Sequence, residues 1–204
     1  MKTYQFLLII FSFFISSSYS QIDESNLNSD TIKNRLERLN AKTPIELYFT
    51  PSVEKTIKRY LNTRLEFYKK NIDRINYYLP LFEEQLQNQK IPQEIKYLPI
   101  IESRLEPSAV SKVGATGLWQ FMFYTALENG LTMNSYVDER MDPFKSTQAA
   151  AAYLNKLYKI HNDWNLVLAS YNAGPRTISR AKKKSGGYTN YWNIRPFLPS
   201  ETAN

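Results

Sequence analysis

The chain has 204 residues, with 26 Lys and Arg against 19 Asp and Glu, one His and no Cys, for a formal net charge of +7 at pH 7. Without cysteine there can be no disulfide and no lipid anchor on a cysteine, and with one histidine there is no His/Cys cluster of the kind zinc hydrolases need. Six glycines in this length, and almost no strand-like alternation, point to a mainly α fold.

Residues 1–20 read as a secretory signal: Lys2, then the ten-residue apolar run "FLLIIFSFFI", then "SSSYS", with cleavage after Ser20. A retained anchor is the alternative, and the shortness of the run argues against it. The mature chain is expected to be exported, periplasmic or in the cell envelope. Loss of Lys2 leaves it at +6, with 25 cations against 19 anions. That excess suits anionic envelope polymers, or is ordinary solubility charge.

Residues 21–42 are polar and weakly patterned, a flexible leader with one marginal helix. An N-terminal helical extension is expected over 43–91. Within it Leu61, Leu65, Tyr68, Ile72, Ile75, Leu79, Phe82 and Leu86 recur at spacings of four and three, predicting one long amphipathic helix. "NQKIP" ends it, and Pro92 suits the first turn of a following helix over 92–104. Pro99 inside that helix predicts a bend one turn before Glu102. "EPSAVSKVGATG" reads as a loop, followed by a helix from Leu118 to Glu128 that stops at "NG". Asp142–Pro143 opens a helix reaching about His161. "NDWNLVLASYNAGP" reads as a short buried helix, and a last one begins near Arg176 and ends at "KSGG". The run "RAKKK" at 180–184 could suggest nucleic acid, a poor reading for an exported protein.

Glu102 stands out. On a helical wheel it falls with Ile95, Leu98 and Pro99, and Leu105 follows one turn on. A carboxylate on an apolar face is either paired with a cation or helix end, or held protonated for acid–base chemistry. Glu83, in "YLPLFEE", echoes Glu102 in "YLPIIES" but lies at the edge of its stripe, with no glycine loop after it. His161, at the polar end of a helix, reads as a C-terminal cap rather than a triad member. Neither a P-loop nor a GxGxxG run occurs. Carboxylate acid–base chemistry remains.

"YLPIIES", "GATGLWQFM" (114–122), "VDERMDP" (137–143) and "ASYNAG" (169–174) occur in that order. Together they resemble the soluble lytic transglycosylase catalytic domain, in particular the membrane-bound lytic murein transglycosylase D type, over about residues 43–204. The resemblance implies a lysozyme-like helical domain over 92–204, behind the helical extension. It implies cleavage of the β-1,4 bond between N-acetylmuramic acid and N-acetylglucosamine, with Glu102 as single acid/base. The product would be a 1,6-anhydro sugar, and no water would be consumed. Hydrolases of such bonds generally use two acidic groups; Glu106, Asp138, Glu139 and Asp142 could supply a second, and are read as surface charge or caps.

The same resemblance assigns Ser103, Gln120, Met122, Tyr171 and Asn172 to substrate binding. Trp119 and Tyr136, at family-like positions, are read as core. Phe123 and Asn129 depart from the family pattern, where proline and an aromatic are common. "LPSETAN" resembles a segment that in the family continues into Tyr-Val-Pro and a final helix, so the expectation is either a catalytic domain truncated here or an impaired protein. No cofactor or metal is implied. The expected partners are peptidoglycan strands and the envelope membrane, not nucleic acid, with the protein a monomer. The alternatives are a non-catalytic murein-binding envelope protein, a lysozyme-type hydrolase of the same bond, or a generic helical interaction protein.

Overall fold

The computed structural model of the chain describes residues 28–203, so the signal segment and residues 21–27 of the leader lie outside the described residues. Among the described residues there is no strand, only single bridges such as Thr116 with Phe121, and the mainly α expectation holds. No described helix is long and apolar enough to cross a membrane. The chain forms two units, one of residues 28–72 with 163–203, the other of residues 73–162.

In the first unit, helix α1 (Ser29–Asn40) is capped by Asn28, whose side chain accepts from the Thr31 amide at 2.8 Å. Ile32 and Leu36, one turn apart, are buried. This part of the expected loose leader is therefore a packed helix. Asn40 then brackets Leu47 with both ends of its amide, donating to the carbonyl at 2.6 Å and accepting from the N–H at 2.8 Å. Helix α2 (Pro51–Lys70) opens on proline and buries Val53, Ile57 and Leu61 at four-residue spacing.

The single long helix expected through Leu86 is two helices, broken at Asn71 before α3 (Ile72–Asn88). The Asn71 side-chain amide donates to the Phe67 carbonyl at 2.7 Å, the acceptor that a continuing helix would have used. The side chains of Leu65 and Tyr68 lie outside the described ones.

The first unit is completed by α7 (Trp164–Ala173), α8 (Pro175–Lys184), α9 (Tyr191–Ile194), a 3-10 turn at Arg195–Phe197, and α10 (Ser200–Ala203). Asp163 joins two of these: one carboxylate oxygen accepts from the Leu166 amide at 3.0 Å, the other from the Tyr191 amide at 3.3 Å. Leu166, Ala169, Ile178, Ala181, Tyr191, Ile194 and Leu198 form the core beneath them. Asn165 donates to the Glu46 carbonyl at 2.8 Å, and the Tyr48 ring meets Trp192 edge-on at 4.8 Å, which binds the two sequence-distant halves of this unit.

In the second unit, α3 contributes Ile75, Leu79, Phe82 and Leu86 to the core. The expected helix over 92–104 is a 3-10 turn at Gln93–Tyr97 followed by the six-residue α4 (Leu98–Ser103). Pro99 therefore lies in the first turn of α4, where its missing N–H is not needed, rather than in the interior of a longer helix. Arg104 and Leu105, with φ of 57° and 59°, turn the chain left-handed and end the helix.

The helix expected from Leu118 is also shorter. Thr116 and Phe121 exchange two backbone hydrogen bonds at 3.0 Å, closing a tight loop with Gln120 at φ 50°, and α5 covers only Phe123–Glu128. Helix α6 (Pro143–His161) starts where Asp142 accepts from the Lys145 amide at 2.8 Å, and buries Ala149, Ala150 and Ala151. Trp119 is a core residue, as expected. Its indole N–H donates to Thr147 Oγ1 of α6 at 2.9 Å, and its ring meets Phe82 of α3 edge-on at 5.4 Å.

Gly117 (φ 84°) is where two loops touch, since a Cβ there would lie 1.8 Å from the Arg140 carbonyl oxygen. Gly114 (φ 82°) has open space at the same point. Gly117→Ala is expected to lower unfolding free energy by about 2–4 kcal/mol, combining left-handed strain with overpacking against backbone. Gly114→Ala should cost about 1 kcal/mol from strain alone. Urea denaturation of both variants measures the difference.

Candidate active site

Glu102 occupies the last turn of α4 and is 8% exposed, with Leu98, Ile100 and Leu105 buried around it in sequence. The burial inferred from its helical face is thus found. Ser103 beside it places its hydroxyl between two backbone carbonyls, Pro99 at 3.0 Å and Leu118 at 2.9 Å. Its single proton is shared between them. Ser103 therefore ties the helix that carries Glu102 to the Gly117–Phe121 loop.

Gln120 is half-buried on that loop, and its amide nitrogen donates to the Ala109 and Gly117 carbonyls at 3.1 and 3.0 Å. Both amide protons are engaged within the protein, and Oε1 is the atom left to accept from a ligand. Met122 precedes α5 and is 47% exposed.

The loop is also held by Arg140. The Arg140 guanidinium makes a bidentate pair with Asp138, Nε to Oδ1 at 2.9 Å and Nη2 to Oδ2 at 2.6 Å. Its Nη1 donates to the Gly114 and Phe121 carbonyls at 3.1 and 3.3 Å. Hydrogen bonding to Arg140 outweighs desolvation and holds the Asp138 carboxyl below the usual range. This device escaped sequence analysis because the two carbonyls lie 26 and 19 residues away and leave no side-chain signature.

The other carboxylates weighed for a second acidic role have structural partners. Glu106 accepts from Arg74 at 3.1 Å and Ser108 at 2.9 Å. Glu139 pairs with Lys145 and accepts from the Thr132 amide at 2.8 Å. Asp142 caps α6. Glu83, the rival to Glu102, is paired with Lys96. No group of three or more His, Cys, Asp or Glu could hold a metal ion among the described residues.

Tyr136, expected in the core, is instead 96% exposed, on a turn where Asn134 Oδ1 accepts from the Tyr136 and Val137 amides at 2.8 and 3.0 Å. The Asx turn explains why this aromatic points outward.

Glu102, Ser103, Gln120 and Met122 belong to the second unit, whereas Tyr171 and Asn172 belong to the first. Tyr171 and Asn172 are half-buried in the last turn of α7. Asn172 Oδ1 accepts from Thr202 Oγ1 at 2.8 Å, which leaves its amide nitrogen as donor. Burial pushes the Tyr191 phenol up to about 12, so it stays a donor, to the Ala203 carbonyl at 3.1 Å. Arg195 Nε donates to the same oxygen at 2.7 Å. Thr202 belongs to the "LPSETAN" segment, and its bond to Asn172 gives that segment a link to the "ASYNAG" motif.

Residues 80–193, more than half of the chain, match the transglycosylase SLT domain. The chain belongs to this family. The SLT match contains all six residues assigned to the site. Membrane-bound lytic murein transglycosylase D of Escherichia coli K12 is 35% identical over 122 residues, 58% of this chain and 26% of that protein. The protein of the same name from E. coli O6:H1 shows the same values. A protein of Alteromonas sp. strain M-1 named for tributyltin chloride resistance is 32% identical over 113 residues, 53% of this chain and 55% of its own length. The chain thus spans about a quarter of the two E. coli proteins and about half of the third.

The Asp138–Arg140 pair makes a testable contribution to the stability of this SLT domain. Arg140→Ala should destabilise by about 1–3 kcal/mol, by stranding a partly buried carboxylate and two carbonyls. Asp138 is held below its unfolded value, near 3.9. Its contribution is fully present above that pH and is lost as pH falls through the folded value. Asp138→Asn should therefore flatten the acid limb of the stability curve below about pH 4, read by denaturant titration at several pH values.

Proposed function

We propose that the protein is an exported peptidoglycan lytic transglycosylase in which Glu102 is the single acid and base. The observation that carries this reading is the burial of Glu102 on α4, next to Ser103, which ties that helix to the Gln120 loop. Membership of the SLT family and the similarity to a lytic murein transglycosylase support the substrate class.

In the proposed reaction the Glu102 carboxyl donates its proton to the glycosidic oxygen as the bond from C1 of N-acetylmuramic acid breaks. The carboxyl has to be protonated at this step, as general-acid catalysis requires. The resulting carboxylate then takes the proton of the C6 hydroxyl, whose oxygen closes on C1. The 1,6-anhydro sugar forms with no net gain of water, and Glu102 ends protonated as it began. Gln120 Oε1 would accept from a sugar hydroxyl or N-acetyl N–H, with Ser103 setting the loop that presents it. Met122 would offer apolar contact. Tyr171 and Asn172 are assigned to the substrate on their motif. The protein acts as a monomer on glycan strands in the envelope, in association with its membrane, without metal or cofactor.

Incubation with purified murein and measurement of soluble fragments tests the assignment. Glu102→Gln keeps the shape but lacks a transferable proton, and should slow release by about 10²–10⁴-fold while leaving the circular dichroism spectrum unchanged. Release at the wild-type rate would assign the acid elsewhere. Binding of sacculi with no release by the unaltered protein would favour a non-catalytic murein-binding role.

A further inference from the structure

The positive charge of the chain is not evenly spread. Residues 28–72 with 163–203 hold sixteen Lys and Arg against seven Asp and Glu, whereas residues 73–162 hold nine against ten. The sharpest asymmetry lies between Trp164 and Ser200, where six cations occur and no Asp or Glu. Helix α8 concentrates it. Ile178 and Ala181 face the core, and the exposed residues are Arg176, Ser179, Arg180, Lys183 and Lys184. At 100° per residue these five share one side, so the four cations form a band about 12 Å long and about 100° wide.

Helix stability alone does not account for this stripe. Lysines in the last turn complement the helix dipole, but Arg176 stands in the first turn, where a cation is disfavoured by about 0.3–1 kcal/mol. Arg176 and Arg180, Arg180 and Lys184, and Arg180 and Lys183 are like-charge neighbours at spacings that repel. None of the four forms an ion pair with a described residue. A helix whose local electrostatics oppose it at one end and along one face is suited to an anionic partner that offsets both.

The chemistry of the face narrows the partner. An interfacial membrane helix presents apolar side chains between its cations, but the apolar residues of α8 are in the core and its exposed face has none. Single-stranded nucleic acid sites interleave aromatic platforms with the charge, and α8 has no aromatic residue. A linear stripe of point charges fits a linear polymer with regularly spaced carboxylates.

We propose that the exposed face of α8 docks the carboxylate-bearing peptide stems of the glycan strand, a binding role that takes no part in the proton transfers of Glu102. The choice of polymer rests on the proposed murein substrate. The stripe itself rests on the charge pattern alone.

The test uses the full chain carrying Glu102→Gln, so that sacculi are bound and not digested, and co-sedimentation at low and high salt. Replacing Arg176, Arg180, Lys183 and Lys184 together with Gln should weaken sacculus binding at least tenfold at low salt. Removing the same charge at Lys42, Lys90, Lys112 and Lys159 should not, and thermal melts check that both variants fold. Sacculi whose carboxylates have been blocked as amides should bind the unaltered stripe as weakly as native sacculi bind the quadruple variant. Equal binding by the stripe variant, or undiminished binding to blocked sacculi, overturns the proposal. So does retention on phosphatidylglycerol vesicles with none on sacculi. Fragment release in the Glu102→Gln background would instead count against the assignment of Glu102 and leave the binding comparison intact.

Discussion

The guanidinium of Arg140 is the constraint on which the second unit's loops depend. A planar fork with five donors can satisfy a carboxylate and two backbone carbonyls at once, and Arg140 does so with Asp138, Gly114 and Phe121. Its own carbonyl lies where only glycine can approach, which fixes Gly117 against it. The loop held in this way presents Leu118 to Ser103, and Ser103 is adjacent to Glu102 on α4. One cation in this way sets the loop against which the buried carboxyl's helix is tied. A lysine could supply the charge but not the fork.

The same arrangement explains why a six-residue helix is sufficient to carry Glu102. An isolated helix of that length would be far below the length at which nucleation is repaid. Here the preceding 3-10 turn feeds Pro99 into the first helical turn, Arg104 and Leu105 turn left-handed at the end, and Ser103 anchors it from the side. The geometry comes from tertiary ties, with little contribution from helix propensity.

Much of this was legible in the sequence where periodicity or capping chemistry is local. The helices at Pro143–His161, Trp164–Ala173 and Pro175–Lys184 follow from Asp142–Pro143, Asp163 and Gly174–Pro175, and the burial of Glu102 follows from its neighbours on the wheel. Misreadings occurred where a single side chain redirected the backbone. Asn71 interrupts an unbroken apolar stripe by taking the Phe67 carbonyl. Gln120 adopts a left-handed conformation inside an apolar run and delays a helix by five residues, from Leu118 to Phe123. The Asp138–Arg140 and Asn172–Thr202 ties were invisible because their meaning lies in partners distant along the chain. Charge showed the same limit. The net value suggested an anionic partner in general, whereas the fold aligns four of the cations on one face of one helix.

The central claim is that Glu102 serves both proton transfers with no water entering the bond. Digestion of murein in water enriched in heavy oxygen tests it most directly, with mass analysis of the sugar at the cleaved end. The account predicts muramic acid ends that carry no heavy oxygen and are lighter by one water than the reducing sugar. Incorporation of one heavy oxygen at C1 of the initial product would contradict it and establish hydrolysis.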